Sequence, residues 1–549
     1  MNVAEKLVEC LVAEGVQVVF GIPGEENLEV IEALADSPIR FVTTRHEQGA
    51  AFMADVYGRL TGRAGVCLAT LGPGATNLIT GVADANSDGA PLVAITGQVS
   101  TERMHITGHQ YLDLAKLFEP ITKRTKLIMR PDTVTEIVRL AFKYAQQEGK
   151  QGATHIDLPV DVARMTVPEN DACIRPQTGR AEYADLESIA QAAKLLARAR
   201  NPVMLVGADC AHANISREVT ELVHSIHIPV VNTMMAKGVI SCDDPYAMWT
   251  IGIPQRDYQD LLLQDADLLL CVGYDLVELA PSRLNPKRDK RIIHVNTTQA
   301  HINKHYQPDV EVVGDMVETL RRLLQLTCRT TEPELAFRLR DAMRQEHEAC
   351  IRNASFPLKP QRILGDIRSA MRKGDILLSD VGAHKMWIAR HYNCFEPNSC
   401  LISNGFATMG IAVPGALAAK LLHPDKRVLA VTGDGGFMMN CQELETARRE
   451  HLPFVTLIFD DSAYGLIAWK QNDRYGHANM TSFTNPDFAA MAESMGCRGY
   501  RVERTEDLPA ILEDAFAQDV PAVIDCPVDY QENTRLTAHL RELVTSYHS

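Results

Sequence analysis

At 549 residues the chain exceeds what one hydrophobic core can organise, so its length implies three or four domains. With 46% hydrophobic and 23% charged residues it has an ordinary globular balance. A formal charge of -15 argues against nucleic acid or an anionic membrane as the main partner, which leaves small molecules or other proteins.

Leu7, Val8, Leu11 and Val12 recur at helical spacing among Glu5, Lys6, Glu9 and Glu14, predicting an amphipathic first helix rather than a signal peptide. No stretch approaches about 18 uninterrupted apolar residues, so no membrane span is expected. The 13 cysteines are odd in number and never form C-x-x-C. Neither a zinc site nor a disulfide framework is indicated, and a reducing cytoplasm is the expected location. Short apolar runs then alternate with helical stretches along the chain, at 16–20, 66–71, 92–97, 203–207, 229–232, 267–273, 292–296, 376–380, 427–432, 454–459 and 522–526. Continuous apolar strands separated by helices predict an α/β fold of parallel sheets covered on both faces. Polar, aperiodic stretches at 164–185 and 328–361 predict three domains, over 1–165, 185–330 and 355–535.

The chemistry concentrates at strand ends. GIPGEEN (21–27) and TLGPGATN (70–77) are Gly/Pro loops after apolar runs, each alone no more than a turn signal. Between them, Glu47 follows a strand at 40–43 and opens a small-residue helix. On local grounds it is either a helix-start acid favoured by the macrodipole or a partly buried functional carboxyl. The densest pattern is 428–465, where a strand runs into Gly433-Asp434-Gly435-Gly436 and a second strand ends in Asp460-Asp461. Both acidic turns then lie at the carboxyl ends of parallel strands, where ligands bind. Glycine N–H groups and the following helix attract phosphate, and Asp434 with Asp461 can give Mg2+ two hard oxygen ligands. No strand is followed by G-x-G-x-x-G, so a generic dinucleotide-binding protein fits poorly.

The GDG run with its second acidic turn resembles the signature of thiamine-diphosphate-dependent enzymes, and the chain as a whole is similar to the acetolactate synthases, nearest the catabolic, FAD-independent type. The resemblance implies pyrimidine-binding, central and diphosphate-binding domains in that order. Asp434 and Asp461 become metal ligands, joined by the carbonyl of Ala463; the family usually has Asn at the second position, but the catabolic enzymes carry Asp. R-H-E-x-x-A/G-A places Glu47 at N1′ of the cofactor's aminopyrimidine, as the carboxyl that starts proton removal from thiazolium C2. Glyoxylate carboligases lack that glutamate. Pro23, Gly24, Thr70, Gly72 and Asn77 fall in the pyrimidine-side loops. DVGAHKMW (380–387) brings Gly382, Ala383 and His384 to the diphosphate, and ISNGFATMG (402–410) sets Met409 between the two rings. Gly433, Gly435, Gly436, Tyr464, Gly465 and Leu466 complete the cofactor set.

Relatives also suggest the substrate side. HQYLD (109–113) and FEPITK (118–123) resemble catabolic acetolactate synthases, whereas pyruvate and indolepyruvate decarboxylases typically have a His pair there. Gln110 is thus expected in a catalytic, substrate-placing role, with Lys123 beside the substrate. GYDLVEL (273–279) lacks both Arg residues of the flavin-binding biosynthetic enzymes, so no FAD is expected. Trp469 and Lys470 are candidates for the acceptor wall and a substrate carboxylate partner; the alternative is a packed aromatic beside a solvated Lys. The implied reaction is decarboxylation of pyruvate and carboligation to a second 2-oxo acid, giving 2-acetolactate; a 2-oxo acid decarboxylase or aldehyde lyase/ligase is the alternative. The family's active site lies between subunits, implying a homodimer within a homotetramer.

Overall fold

The computed structural model describes residues 1–147, 149–176, 182–253 and 256–548. The first sheet comprises β1 (Val18–Gly21), β2 (Arg40–Thr43), β3 (Gly65–Ala69), β4 (Leu92–Gln98), β5 (Arg124–Leu127) and β6 (Ala153–Pro159). The second holds β7 (Pro202–Val206), β8 (Val230–Asn232), β9 (Ala247–Thr250), β10 (Leu268–Val272), β11 (Arg291–Asn296) and β12 (Val310–Val313). The third holds β13 (Ile376–Ser379), β14 (Cys400–Ile402), β15 (Val428–Gly433), β16 (Val455–Asp460), β17 (Arg498–Arg501) and β18 (Ala522–Pro527). Each sheet is six-stranded, and its paired strands run parallel. Every residue of β4 and of β6 is buried, because helices cover both faces and leave no polar side to alternate with.

The first and third sheets share one topology, β2-β1-β3-β4-β6-β5 and β14-β13-β15-β16-β18-β17. The middle sheet follows the doubly wound order, β12-β11-β10-β7-β8-β9. The expected first helix spans Val3–Ala13 and is closed by a capping box between Asn2 and Glu5. No helix among the described residues is long and apolar enough to cross a membrane.

What fixes the first unit against the third is a seam of small residues. Helix Glu47–Thr61 lies on helix Ala412–Leu422, and a Cβ on Gly415 would meet Val56 at 2.9 Å. Phe52, Val56 and Leu78 share one hydrophobic cluster with Leu417, Phe437 and Leu444. Beside that cluster Arg59 is fully enclosed. Its guanidinium donates to Asp55 at 2.5 Å and to Asp84 and Asp88, each at 2.9 Å. Asp84 accepts from Ser403 and Thr408, and Asp88 accepts from the amides of Asn404 and Gly405, so the network clasps the loop that carries Met409. Burial first, then the neighbouring Asp55, pushes the Asp84 carboxyl up to about 7. Removing the guanidinium strands three buried carboxyls. Arg59→Met is therefore expected to cost about 3–5 kcal/mol of stability, read as a lowered urea midpoint, and an unchanged midpoint would refute the account.

Candidate active site

The third sheet places a cavity of about 160 Å3 at the carboxyl ends of β13, β15, β16 and β18. Its walls include Gly382, Ala383, His384, Met409, Gly433, Asp434, Gly435, Gly436, Asp461, Ala463, Tyr464, Gly465 and Leu466. All the residues expected at the diphosphate and the metal thus line one space.

Local constraints explain the residue types. Glycine at 435 leaves room for the Tyr464 ring, which a Cβ would meet at 2.8 Å, and glycine at 436 leaves room for Asp380 at 2.9 Å. The acidic turn passes through Ser462 at a φ of 53°, a left-handed conformation, and is held by the amide of Phe483 donating to the Ser462 carbonyl at 3.0 Å. Asp380, at the end of β13, accepts from the amides of Gly410 and Ala412 and so fixes the segment after Met409.

Two carboxyls in this cavity are out of balance. Burial raises Asp434 to about 6, with Asp460 adding repulsion. Burial and then the charges of Asp434 and Asp460 raise Asp461 to about 8. Asn485 bridges Asp434 and Asp460 with its amide, 2.8 Å from each. Such crowding is what a divalent cation relieves. No group of three or more His, Cys, Asp or Glu side chains able to hold a metal occurs among the described residues. Two carboxylates and a carbonyl suit Mg2+, which takes its remaining oxygens from phosphate and water.

The same space offers unused donors. The Nε2 atom of His384 and the hydroxyl of Tyr530 are buried with no well-formed hydrogen-bond partner among the described residues. Burial pushes the His384 imidazole down to about 4, keeping it neutral. These groups, the glycine amides and the acidic pair fit a metal-bound diphosphate. Tyr530, Asn485 and Asp380 escaped the motif reading. Tyr530 and Asp380 had a usable signal, each placed just after a strand, Ala522–Pro527 and Ile376–Ser379. Tyr530→Phe is expected to weaken thiamine diphosphate binding about 2- to 12-fold by calorimetry. An unchanged Kd would remove the tyrosine from the site.

The pyrimidine-side residues gather elsewhere. Glu47 is 9% exposed, and its Oε2 accepts from Asn77 Nδ2 at 3.0 Å. A Cβ on Gly24 would touch Thr70 at 2.4 Å, one on Gly74 would lie 3.3 Å from Glu47 Oε1, and one on Gly72 would meet Gln110 at 2.9 Å. Pro23 and Gln110 are exposed on the same patch. Glu443 steadies the start of the Glu47 helix by accepting from the amides of Arg45 and His46. None of this patch lines the cavity among its described residues.

Two of the three substrate-side candidates have partners within their own chain. Lys123 donates to the carbonyls of Tyr144 and Lys150 and closes its own unit. Trp469 is buried, with its indole N–H on Thr537 Oγ1 at 3.1 Å, and packs under the final helix rather than walling the cavity. Lys470 is exposed on the helix Gly465–Tyr475 and does not line the cavity either.

A larger cavity, about 830 Å3, opens between the first and middle units and includes Asp88, Lys150, Asp209, His212, Glu278 and His301 in its lining. It sits at the switch point between β7 and β10, where a doubly wound sheet takes a dinucleotide. There Glu278 accepts from the Ala208 amide at 2.9 and 3.1 Å and from Thr233 at 2.6 Å. A Cβ on Gly207 would already be 2.6 Å from Glu278 Oε1. The chain's own carboxylate thus occupies the start of the helix that follows β7.

Comparison with known proteins agrees with the geometry. Models described as the N-terminal TPP binding, central and C-terminal TPP binding domains of thiamine pyrophosphate enzymes match residues 1–117, 189–323 and 380–526. An acetolactate synthase of Bacillus subtilis is 37% identical over 544 residues, covering 97% of this chain and 94% of that protein. The catabolic acetolactate synthase of Raoultella terrigena is 36% identical over 550 residues, covering 98% and 97%. The large subunit of acetolactate synthase isozyme 2 of Escherichia coli is 33% identical over 548 residues, covering 97% and 96%. With the two acidic turns, the glycine loop and the buried glutamate all in place along this full-length likeness, the chain belongs to the acetolactate synthases of the thiamine pyrophosphate enzyme family.

Proposed function

We propose that the chain decarboxylates pyruvate and joins the remaining two-carbon unit to a second 2-oxo acid, giving 2-acetolactate, with thiamine diphosphate and Mg2+. The observation that carries this reading is the single cavity in which the GDG loop, the acidic turn and the unused donors of His384 and Tyr530 converge. Thiamine diphosphate, when bound, supplies a thiazolium that accepts the electron pair left by CO2 loss. The chain's residues do the rest. Asp434, Asp461 and the Ala463 carbonyl would hold Mg2+, and the glycine loop 433–436 would take the diphosphate. Met409 would support the cofactor rings, from a loop fixed by Asp380 and the Arg59 network. Glu47, with one oxygen fixed by Asn77, keeps the other for the pyrimidine ring nitrogen, where it moves the proton that starts each turnover. Gln110 places the substrate from the rim of that patch.

Because the Glu47 patch and the metal cavity do not meet within one chain, we read the working site as shared between two subunits of a homodimer, paired further into a homotetramer. The pyrimidine-binding, central and diphosphate-binding units correspond to 1–165, 185–330 and 355–535, and the enzyme works in the cytoplasm without FAD. Glu278, placed by the helix start where a doubly wound sheet would meet a dinucleotide phosphate, supports the last point. Incubation with pyruvate, thiamine diphosphate and Mg2+, followed by NMR, tests the reaction. Acetolactate, which turns to acetoin on acidification, is the expected product; free acetaldehyde alone would make the enzyme a simple decarboxylase. Flavin absorbance in the purified protein would overturn the cofactor assignment.

A further inference from the structure

The first helix and the segment leaving the first unit carry a pair of cysteines outside the active site. Cys10 lies on helix Val3–Ala13, and Cys173 lies 163 positions later in the stretch leading to the middle unit. Their sulfurs stand 2.7 Å apart, although both are free thiols. Two sulfurs come this close only when their Cα and Cβ positions already suit a disulfide. Backbone contacts hold the pair in register. The Val3 amide donates to the Met165 carbonyl at 3.0 Å, the Val167 amide donates to the Met1 carbonyl at 3.2 Å, and Asn2 bridges Thr166.

The two thiols differ in access. Cys10 is 3% exposed, whereas Cys173 is half-buried and open to a small oxidant. The Lys6 ammonium, hydrogen-bonded to Glu9 at 2.9 Å, lies within electrostatic reach of both sulfurs, while burial pushes the Cys10 thiol up and leaves the more open Cys173 as the first to react. By contrast Cys394 and Cys400, which also neighbour each other, are both buried and out of an oxidant's reach.

We propose that Cys10 and Cys173 form a reversible disulfide, made by exchange with a low-molecular-weight disulfide such as oxidised glutathione. The Cys173 thiolate attacks one glutathione sulfur, the glutathione S–S bond breaks, and one glutathione thiol leaves. The Cys10 sulfur, after losing its proton, attacks the Cys173 sulfur and releases the second glutathione, which takes up that proton. The protein thiols lose two protons and two electrons, and the two glutathione molecules gain them. The bond ties the first helix to the exit segment and closes a long loop, restricting the unfolded chain. In a reducing compartment the pair stays as thiols and closes only when the thiol pool is oxidised.

The test uses the full-length enzyme incubated with oxidised glutathione, alkylated and digested with trypsin without reduction. Peptides 7–40 and 165–180 each contain one cysteine, Cys10 and Cys173 respectively. The expected result is their cross-linked pair, lost on adding dithiothreitol, with Tm raised by about 5 °C in the wild type and unmoved in Cys173→Ser. Cys173→Ser changes a half-exposed position away from the active site and retains its basal activity. Alkylated Cys10 and Cys173 after oxidation, or a glutathione adduct on Cys173 without the cross-link, would overturn the pairing.

Discussion

Glu47→Gln is expected to lower kcat for pyruvate consumption by about 10²–10⁴-fold, the range a positioned proton-transfer group contributes. The amide keeps the side chain's size and can still accept from Asn77, so the buried patch holding Glu47 against Gly74 stays filled. Tm should therefore move by no more than about 2 °C, the scale of a single well-tolerated polar exchange in a chain this long. Thiamine diphosphate still binds, because the metal and diphosphate contacts come from the third unit. Steady-state kinetics with a calorimetric titration of the cofactor separates the outcomes. Near-wild-type kcat would remove Glu47 from the proton path, and a lost cofactor titration would make it a binding residue instead.

The second large effect concerns the acidic pair. In the wild type, thiamine diphosphate with Mg2+ at about 100 times its Kd should stabilise the fold by about 2.7 kcal/mol, visible as a rise in Tm. Asp434→Asn should abolish most of that rise, because Asp434 supplies one of only two carboxylates at the metal position. The cofactor-free variant should be as stable as the wild type or more so. Asp434 is already raised to about 6 by burial and by Asp460, so its charge is a burden when no cation is bound. Asp461→Asn is the informative contrast. It keeps an oxygen ligand of the kind the wider family uses at that position and should retain much of the thermal response. Equal loss in both variants would contradict the assignment of Asp434 as the stronger ligand; a full response in Asp434→Asn would exclude it from the metal site.

These predictions could be framed because the key groups are contiguous in sequence. An apolar strand followed at once by Gly433-Asp434-Gly435-Gly436 fixes, by chain connectivity alone, a glycine loop and a carboxylate at a strand's carboxyl end. The same holds for Asp461 after β16, for His384 after β13 and for Glu47 after β2. Residues whose roles depend on distant partners were not legible in this way. Asn485 reaches Asp434 across 51 positions with nothing local to mark it, and Asp380, though it follows β13, holds Gly410 across 30 positions, a contact no local pattern announces. Lys123 and Trp469 likewise make contacts within the chain that their motifs do not announce. One satisfies exposed carbonyls next to a helix end, and the other fills a gap beneath the last helix.

By itself the sequence determined the α/β class, the three units and the chemistry at the strand ends, since hydrophobic runs, glycines and adjacent carboxylates act over a few residues. The tertiary structure decided the strand order of each sheet, the small-residue seam that packs the first unit on the third, and the placing of Glu278 against the helix after β7. It also decided the separation of the Glu47 patch from the metal cavity and the approach of Cys10 to Cys173. Those outcomes depend on which surfaces bury each other across hundreds of residues, and long-range packing of that kind leaves no periodic trace along the chain.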